Sequence, residues 1–381
     1  MGYYHISLEI SFLKMNYFLY SLQLKSVQSY SPVFSNSNIH SLCAVKLLFS
    51  QFFSPVILNQ KVVDFRTTRF SRFLSSCIKI SEISVSFNHF FSHQSYSAES
   101  SVILNKCTFE NIASSAMGGA IFIDNTNCVF EIADCDFVMC QCSTSGSLGP
   151  RTDISGGGYA VHVKSSMSRN VCFYSCISKL AGVAFYSRTP IGGNNQISYA
   201  HSNKCGMSNS GNHIFLLEGG LCAAYNSNCS NDMAMYCAGL HYGWSPQNST
   251  TSYCVFYRES TPSNMFWTSS TSSMIYHSRI NIINNTNLNA ITSSSNVYYS
   301  YIVVVKNKGN FHYGDSYATF YQCSSDSTVS TSATCISCSF GNASSTLVPM
   351  NNVNICKYPL KTYNGFLKNN NMLLIVFMII E

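Results

Sequence analysis

Short apolar runs recur along most of the chain, separated by clusters of Ser, Thr, Asn and Gly. Within many runs apolar and polar positions alternate, the period of a strand that buries one face. Over residues 133–139 this alternation predicts Ala133, Cys135, Phe137 and Met139 on one face, with Asp134, Asp136 and Val138 on the other. A Cys- and aromatic-rich strand repeats at Cys107-Thr108-Phe109, Cys135-Asp136-Phe137, Val171-Cys172-Phe173-Tyr174 and Ile197-Ser198-Tyr199-Ala200. It returns at residues 223–225, 253–257, 274–276, 297–299, 318–321 and 335–340. The aromatic anchors lie about 20 to 36 residues apart, an interval that suits a repeat architecture.

Roughly ten residues after many of these strands, a small-residue turn opens a second apolar strand. Gly118-Gly119-Ala120-Ile121-Phe122-Ile123 is the clearest example, followed by residues 157–163, 181–185 and 211–216. Weaker echoes stand at 264–267 and 289–291. One such coil cannot bury its inward face alone, but stacked coils form a continuous core and pair their backbones above and below. Loops of unequal length are tolerated because they project outside the stack. The longest interval holds Ser143-Thr144-Ser145-Gly146-Ser147-Leu148-Gly149-Pro150, which reads as such a loop.

The pattern therefore predicts an all-β chain, a right-handed parallel β-helix (a pectin-lyase-like solenoid) with irregular coils. About ten coils fit into residues 101–346, above the three or so that a solenoid needs. Residues 1–100 read as an N-terminal flank that caps the stack, with 347–371 as a C-terminal flank. Residues 372–381 form a short apolar tail. Its purely apolar part, Met372 to Ile380, is far shorter than the twenty or so residues of a bilayer span, so it reads either as a last strand or as the stump of a membrane anchor.

Composition supports strands over helices. Only 10% of the 381 residues are charged, too few for the wet faces of long helices. The 24 Tyr and 26 Phe favour strands instead. Net charge is a modest +6, and the Arg66, Arg69 and Arg72 run reads as a solvated flank rather than a nucleic-acid patch. The 18 Cys fit secretion with a few bridges, or a solenoid interior where Cys stacks as a small hydrophobe.

Cys107, Phe109 and Asn111, followed by Gly118, Gly119, Ala120 and Ile121, resemble the repeat of the polymorphic outer membrane protein family. That family pairs a Phe/Asn motif with Gly-Gly-Ala-Ile in β-helical surface passengers. Similar proteins stand at the surface of parasitic protists, often Cys- and Tyr-rich with a C-terminal anchor. The resemblance implies a surface-exposed, adhesive role.

The β-helix also carries polysaccharide-cleaving enzymes, which work through acid–base groups. Asp134 and Asp136, with His162 and Lys164, are the weak catalytic candidates, as a carboxylate pair beside a base. Cys323, Cys335, Cys338 and Cys356 are the weak metal candidates, only one pair having tight knuckle spacing. Sequons for N-glycosylation stand at Asn228, Asn248, Asn284 and Asn342. No phosphate loop, dinucleotide fingerprint or nucleophile elbow is present, and no cofactor is expected. The sequence thus points to a non-enzymatic, surface-exposed or secreted solenoid. Its expected partner is a host or self surface protein or a glycan, not nucleic acid, with membrane association through the C-terminal tail. The alternatives are a polysaccharide lyase or glycoside hydrolase on the same fold, or a degenerate gene copy.

Overall fold

The computed structural model describes the strands between Tyr20 and Ile57, and residues 62–67, 69–71, 76–81, 100–114, 117–143, 146–148, 151–207, 211–243, 248–269, 274–293, 296–314, 318–327, 333–341 and 347–349. Among them every regular element is a strand, and one large sheet built by parallel pairing holds most of them. Strands pair not with their chain neighbours but one coil away, so the chain climbs a stack compatible with a parallel solenoid.

Each full coil contributes to three ladders. The first runs through Ile78–Ser81, 121–125, 159–163, Phe185–Arg188, His213–Glu218 and Cys237–Gly243, then Asn264–Ser269, Thr286–Ser293 and Lys308–Gly314. The second includes 128–133, 165–169, Asn194–Ser198, Leu221–Tyr225, 249–252, 275–278, 297–300, Ala318–Tyr321 and Thr334–Ile336. The third includes Arg69–Ser71, Thr108–Glu110, 135–138, 171–174, His201–Asn203, Asn228–Ser230, 254–257 and 280–283. The same parallel pairing continues below Ser101, through Ser100–Asn105, Val62–Arg66 and Leu42–Leu48.

The Gly-led strands of the sequence pattern all fall on the first ladder. The aromatic strands split between the second and third: Met274-Ile275-Tyr276 belongs to one, Cys135-Asp136-Phe137 to the other. From residue 106 to 306 a left-handed residue separates these two ladders in each coil, and a second closes the third ladder five residues later. The pairs include Lys106/Asn111, Asp134/Met139, Tyr199/Lys204, Tyr253/Arg258 and Tyr301/Lys306, all with φ between 50° and 58°. The alternation expected over residues 133–139 therefore holds for Cys135 and Phe137, which are fully buried, but Asp134 and Met139 are corners.

Inside, like stacks on like. Phe70, Phe109, Phe137 and Phe173 form a continuous column with centroid distances of 4.8, 4.7 and 5.0 Å. At Gly119 the coils approach so closely that a Cβ would lie 1.8 Å from the Gly157 carbonyl oxygen, which explains the Gly-Gly of the motif.

The corners leave amides that the neighbouring backbone does not meet, and side chains of the next coil accept them. Cys107 N–H donates to Cys135 Sγ (3.2 Å), Ala200 N–H to Ser227 Oγ (3.4 Å) and Cys323 N–H to Cys338 Sγ (3.4 Å). After the second corner the acceptors are Asp232 for Cys205 (2.7 Å), Glu259 for Asp232 (3.2 Å) and Asn285 for Glu259 (2.7 Å). Buried backbone donors require such partners, and this is why polar residues line part of the interior.

The Ser143–Pro150 loop contains one half of a small antiparallel hairpin, Gly146–Leu148 with Arg151–Ile154. Ile154 packs with Phe122, Ala160, Tyr186 and Leu216 in a second apolar cluster on the outside of the first ladder.

Candidate functional site

The four acid–base candidates are not brought together. Asp134 is an exposed corner, its Oδ1 accepting from Asn170 Nδ2 at 2.6 Å. Asp136 points outward from the third ladder, between Thr108 and Cys172, and burial pushes its carboxyl up to about 6. His162 stands on the first ladder, and Lys164 is exposed just beyond it.

His162 has other company, which the sequence pattern did not reveal. In register on the outer side of the first ladder lie Asp124, His162, Arg188 and Glu218. His162 Nδ1 is 3.2 Å from Asp124 Oδ1, and Arg188 Nη1 is 3.3 Å from Glu218 Oε2. Tyr186 donates its hydroxyl to the same Glu218 oxygen at 2.9 Å. The Glu218 side chain is fully buried. Chain separations of 38 and 30 residues within these pairs hide them from any local motif search. The row thus pairs its own acids and bases, Asp124 with His162 and Arg188 with Glu218.

The cysteine candidates are likewise dispersed. Cys323 is buried and Cys338 lies one coil above it, whereas Cys335 is exposed on the second ladder. Contact with Cys323 draws the Cys338 thiol down to about 6, while burial drives Cys323 up. Cys356 and Asn342 lie outside the described residues. Among the described residues no group of three or more His, Cys, Asp or Glu is placed to hold a metal ion. Nearly all the described cysteines are buried and act as core side chains. The other basic candidates are internally paired: Arg66 bonds Asp64 at 3.0 Å and Arg69 bonds Glu110.

Of the described sequons, Asn248 and Asn284 are exposed, Asn284 at a left-handed corner. Asn228 is half-buried on the outside of the third ladder.

The outer side of the second ladder is free of charged side chains over six successive coils. Its outward positions from residue 196 to 321 are Gln, Ser, Ala, Thr and Tyr, with the exposed Leu221 at one edge, and Tyr276 and Tyr298 are adjacent at 6.3 Å between ring centroids. Tyr276 is 45% exposed. Along one border, Arg279 sits between the rings of Tyr253 and Tyr301, at 5.2 and 5.4 Å. Fully buried His277 lies beneath this face, its Nε2 bonded to Thr268 Oγ1 at 3.0 Å; burial lowers it to about 3 and keeps it neutral.

No family model, no curated protein and no solved structure matches the chain. No helix among the described residues is long and apolar enough to cross a membrane.

Proposed function

We propose that this chain is a non-catalytic, surface-exposed or secreted binding protein, and that the outer side of the second ladder takes an uncharged glycan. One observation carries the reading: six successive coils present hydroxyl, amide and aromatic side chains there and no charged one. Tyr rings offer flat apolar area with a polar tip and lose little side-chain entropy on contact. Sugar rings present C–H faces and hydroxyls, which match that combination. The fold type is a right-handed, pectin-lyase-like β-helix, supported by the strong right-handed bias of parallel crossovers. The resemblance of Cys107 through Ile121 to the surface-passenger repeat supports the location.

The test is calorimetric titration of the purified chain with soluble neutral polysaccharides, alongside the double variant Tyr276→Ala/Tyr298→Ala. Binding that weakens at least tenfold in the variant, with unchanged circular dichroism, is the expected result. Absence of binding to every neutral polymer tried overturns it. The row Asp124–His162–Arg188–Glu218 favours a second reading, a polysaccharide lyase or glycoside hydrolase. Release of new reducing or unsaturated ends, lost in His162→Ala, would establish that reading instead.

A further inference from the structure

The upper end of the stack gathers three sulfurs from two coils. Among the described residues, Thr334–Ile336 and Ser339–Phe340 end their ladders, pairing with the coil below. Left-handed corners at Gln322 and Ser337 place Cys323 and Cys338 at the same point of successive coils, directly after the turn. Cys335 pairs with Phe320 and so continues an inward column of the second ladder. One coil lower such positions are sealed, and Cys323 is 1% exposed. In the last coil they are open: Cys335 is exposed and Cys338 half-buried.

Three donors converge on Cys338 Sγ. The Cys323 amide reaches it at 3.4 Å. The thiols of Cys323 and Cys335 hydrogen-bond to it as well. As a thiol, Cys338 has one hydrogen to give, to the Phe320 or the Ile336 carbonyl, each at 3.4 Å. As a thiolate it gains on all three donors, since hydrogen bonds to an ionised acceptor are about twice as strong as neutral ones. Cys135 provides the contrast. It takes the same corner amide, from Cys107 at 3.2 Å, but is fully buried, and burial pushes its thiol well up. Cys338 has the bonds without the full burial, and its thiol is drawn down to about 6, chiefly by the Cys323 thiol.

We propose that Cys338 and Cys335 form a thiol–disulfide exchange site, whose substrates are small, accessible disulfides of the glutathione type. Cys338 is the attacking sulfur, Cys335 the resolving one and Cys323 a positioning donor. The Cys338 thiolate attacks one sulfur of the substrate. A bond forms between them, the substrate's own S–S bond breaks, and the other half leaves as a thiolate that takes up a proton. Cys335 then gives its proton to water and attacks the Cys338 sulfur, closing the Cys335–Cys338 disulfide and releasing the second substrate thiol. Two protein thiols are oxidised and one disulfide is reduced to two thiols. Burial drives the Cys323 thiol up and keeps it protonated, a donor, whereas Cys335 stands in solvent where it can ionise. Cys335-x-x-Cys338 has the spacing of dithiol redox pairs, set here across the Ser337 corner.

The experiment is a timed reaction of the full chain, reduced and desalted, with oxidised glutathione. It is quenched in acid, unfolded, alkylated with N-ethylmaleimide and mapped by mass spectrometry after cleavage at Asp326 and Phe340, which separates Cys323 from the other two. At pH 7 Cys335 and Cys338 should lose alkylation together, about tenfold or more faster than any other cysteine, while Cys323 stays open to the reagent. In Cys335→Ser the reaction should stop at glutathione bound to Cys338, and in Cys338→Ser neither adduct nor link should form at Cys335. Adduct formation in Cys335→Ser should be half-maximal near pH 6. An ordinary thiol has its midpoint at about 8.5. Adding Cys323→Ala should raise the midpoint by about one pH unit or more, with Cys338 still reactive. A Cys338 that stays unmodified, or that links to any cysteine other than Cys335, overturns the proposal. So does addition spread evenly over the cysteines, a midpoint at that of an ordinary thiol, or one that Cys323→Ala leaves unmoved.

Discussion

Asp232 and Glu259 lie one above the other inside the stack, the Asp232 amide donating to Glu259 Oε2 at 3.2 Å. Both are buried, with relative exposures of 0% and 1%. Asp232 also accepts from Ser202 and from the Cys205 amide, yet burial outweighs these bonds and raises its carboxyl to about 8. Burial drives Glu259 up as well, and the neighbouring Asp232 adds to the effect.

The pH dependence of stability follows from these shifts and from the buried histidines. A carboxyl raised in the folded state keeps a proton that the unfolded chain releases near pH 4, so stability falls as pH rises from there to about 8. Burial lowers His201, His277 and His312 to about 4, 3 and 4, so they act oppositely, adding stability as pH rises up to about 6.5. Between pH 6.5 and 8 the two carboxyls act against Cys338, whose lowered thiol adds stability as pH rises, so the window is read in a Cys338→Ser background. Urea melts should show stability declining across that window by on the order of 1 kcal/mol per pH unit for each carboxyl. Asp232→Asn keeps the acceptor for Cys205 and should flatten the decline. A profile that rises from pH 6.5 to 8 would contradict the assignment.

The phenylalanine column should be costly to interrupt. Phe137 has a stacked ring on each side, at 4.7 and 5.0 Å, and is fully buried. Phe137→Ala should lose about 3–5 kcal/mol in equilibrium denaturation, while Phe137→Leu should lose less than half of that.

Gly119 gives a sharper backbone test. A methyl group there meets the Gly157 carbonyl, so the two coils must separate. Gly119→Ala should lower stability by more than about 2 kcal/mol, although alanine is the mildest replacement available. Gly192, with nothing near its Cβ position but a φ of 89°, should lose only about 1 kcal/mol on the same change, through its left-handed backbone.

Glycan attachment distinguishes the sequons. Expressed through a secretory pathway, the chain should carry glycans at Asn248 and Asn284, which are exposed, and none at half-buried Asn228. Site mapping after deglycosylation in heavy-oxygen water checks this.

The Gly-led and aromatic strands were legible because coil stacking demands small residues at close approaches and apolar ones inside; Gly118, Gly119, Phe109 and Phe137 carry that signal locally. The corners were not. Tyr199, Tyr253, Arg279, Tyr301 and Met139 adopt left-handed φ without being Gly or Asn, because stacking rather than local preference imposes it. Asp232 and Glu259 read as surface residues in any window, since their amide-accepting task arises only between coils. The pairing of His162 with Asp124 was hidden for the same reason, while Asp134 was misassigned to a strand face by an alternation that its corner interrupts.

The five-residue interval between paired corners has a consequence for inserting foreign sequence. From one coil to another, Asp134/Met139, Asn170/Ser175 and Arg279/Asn284 keep it unchanged, whereas the arc that follows each pair differs in length. Epitopes or tags grafted into the variable arcs, such as the exposed turn at residues 190–192, should leave the neighbouring coils in register. A single residue added within the five would displace every side chain beyond it to the opposite face. The molecule therefore offers a scaffold with fixed joints and interchangeable spans.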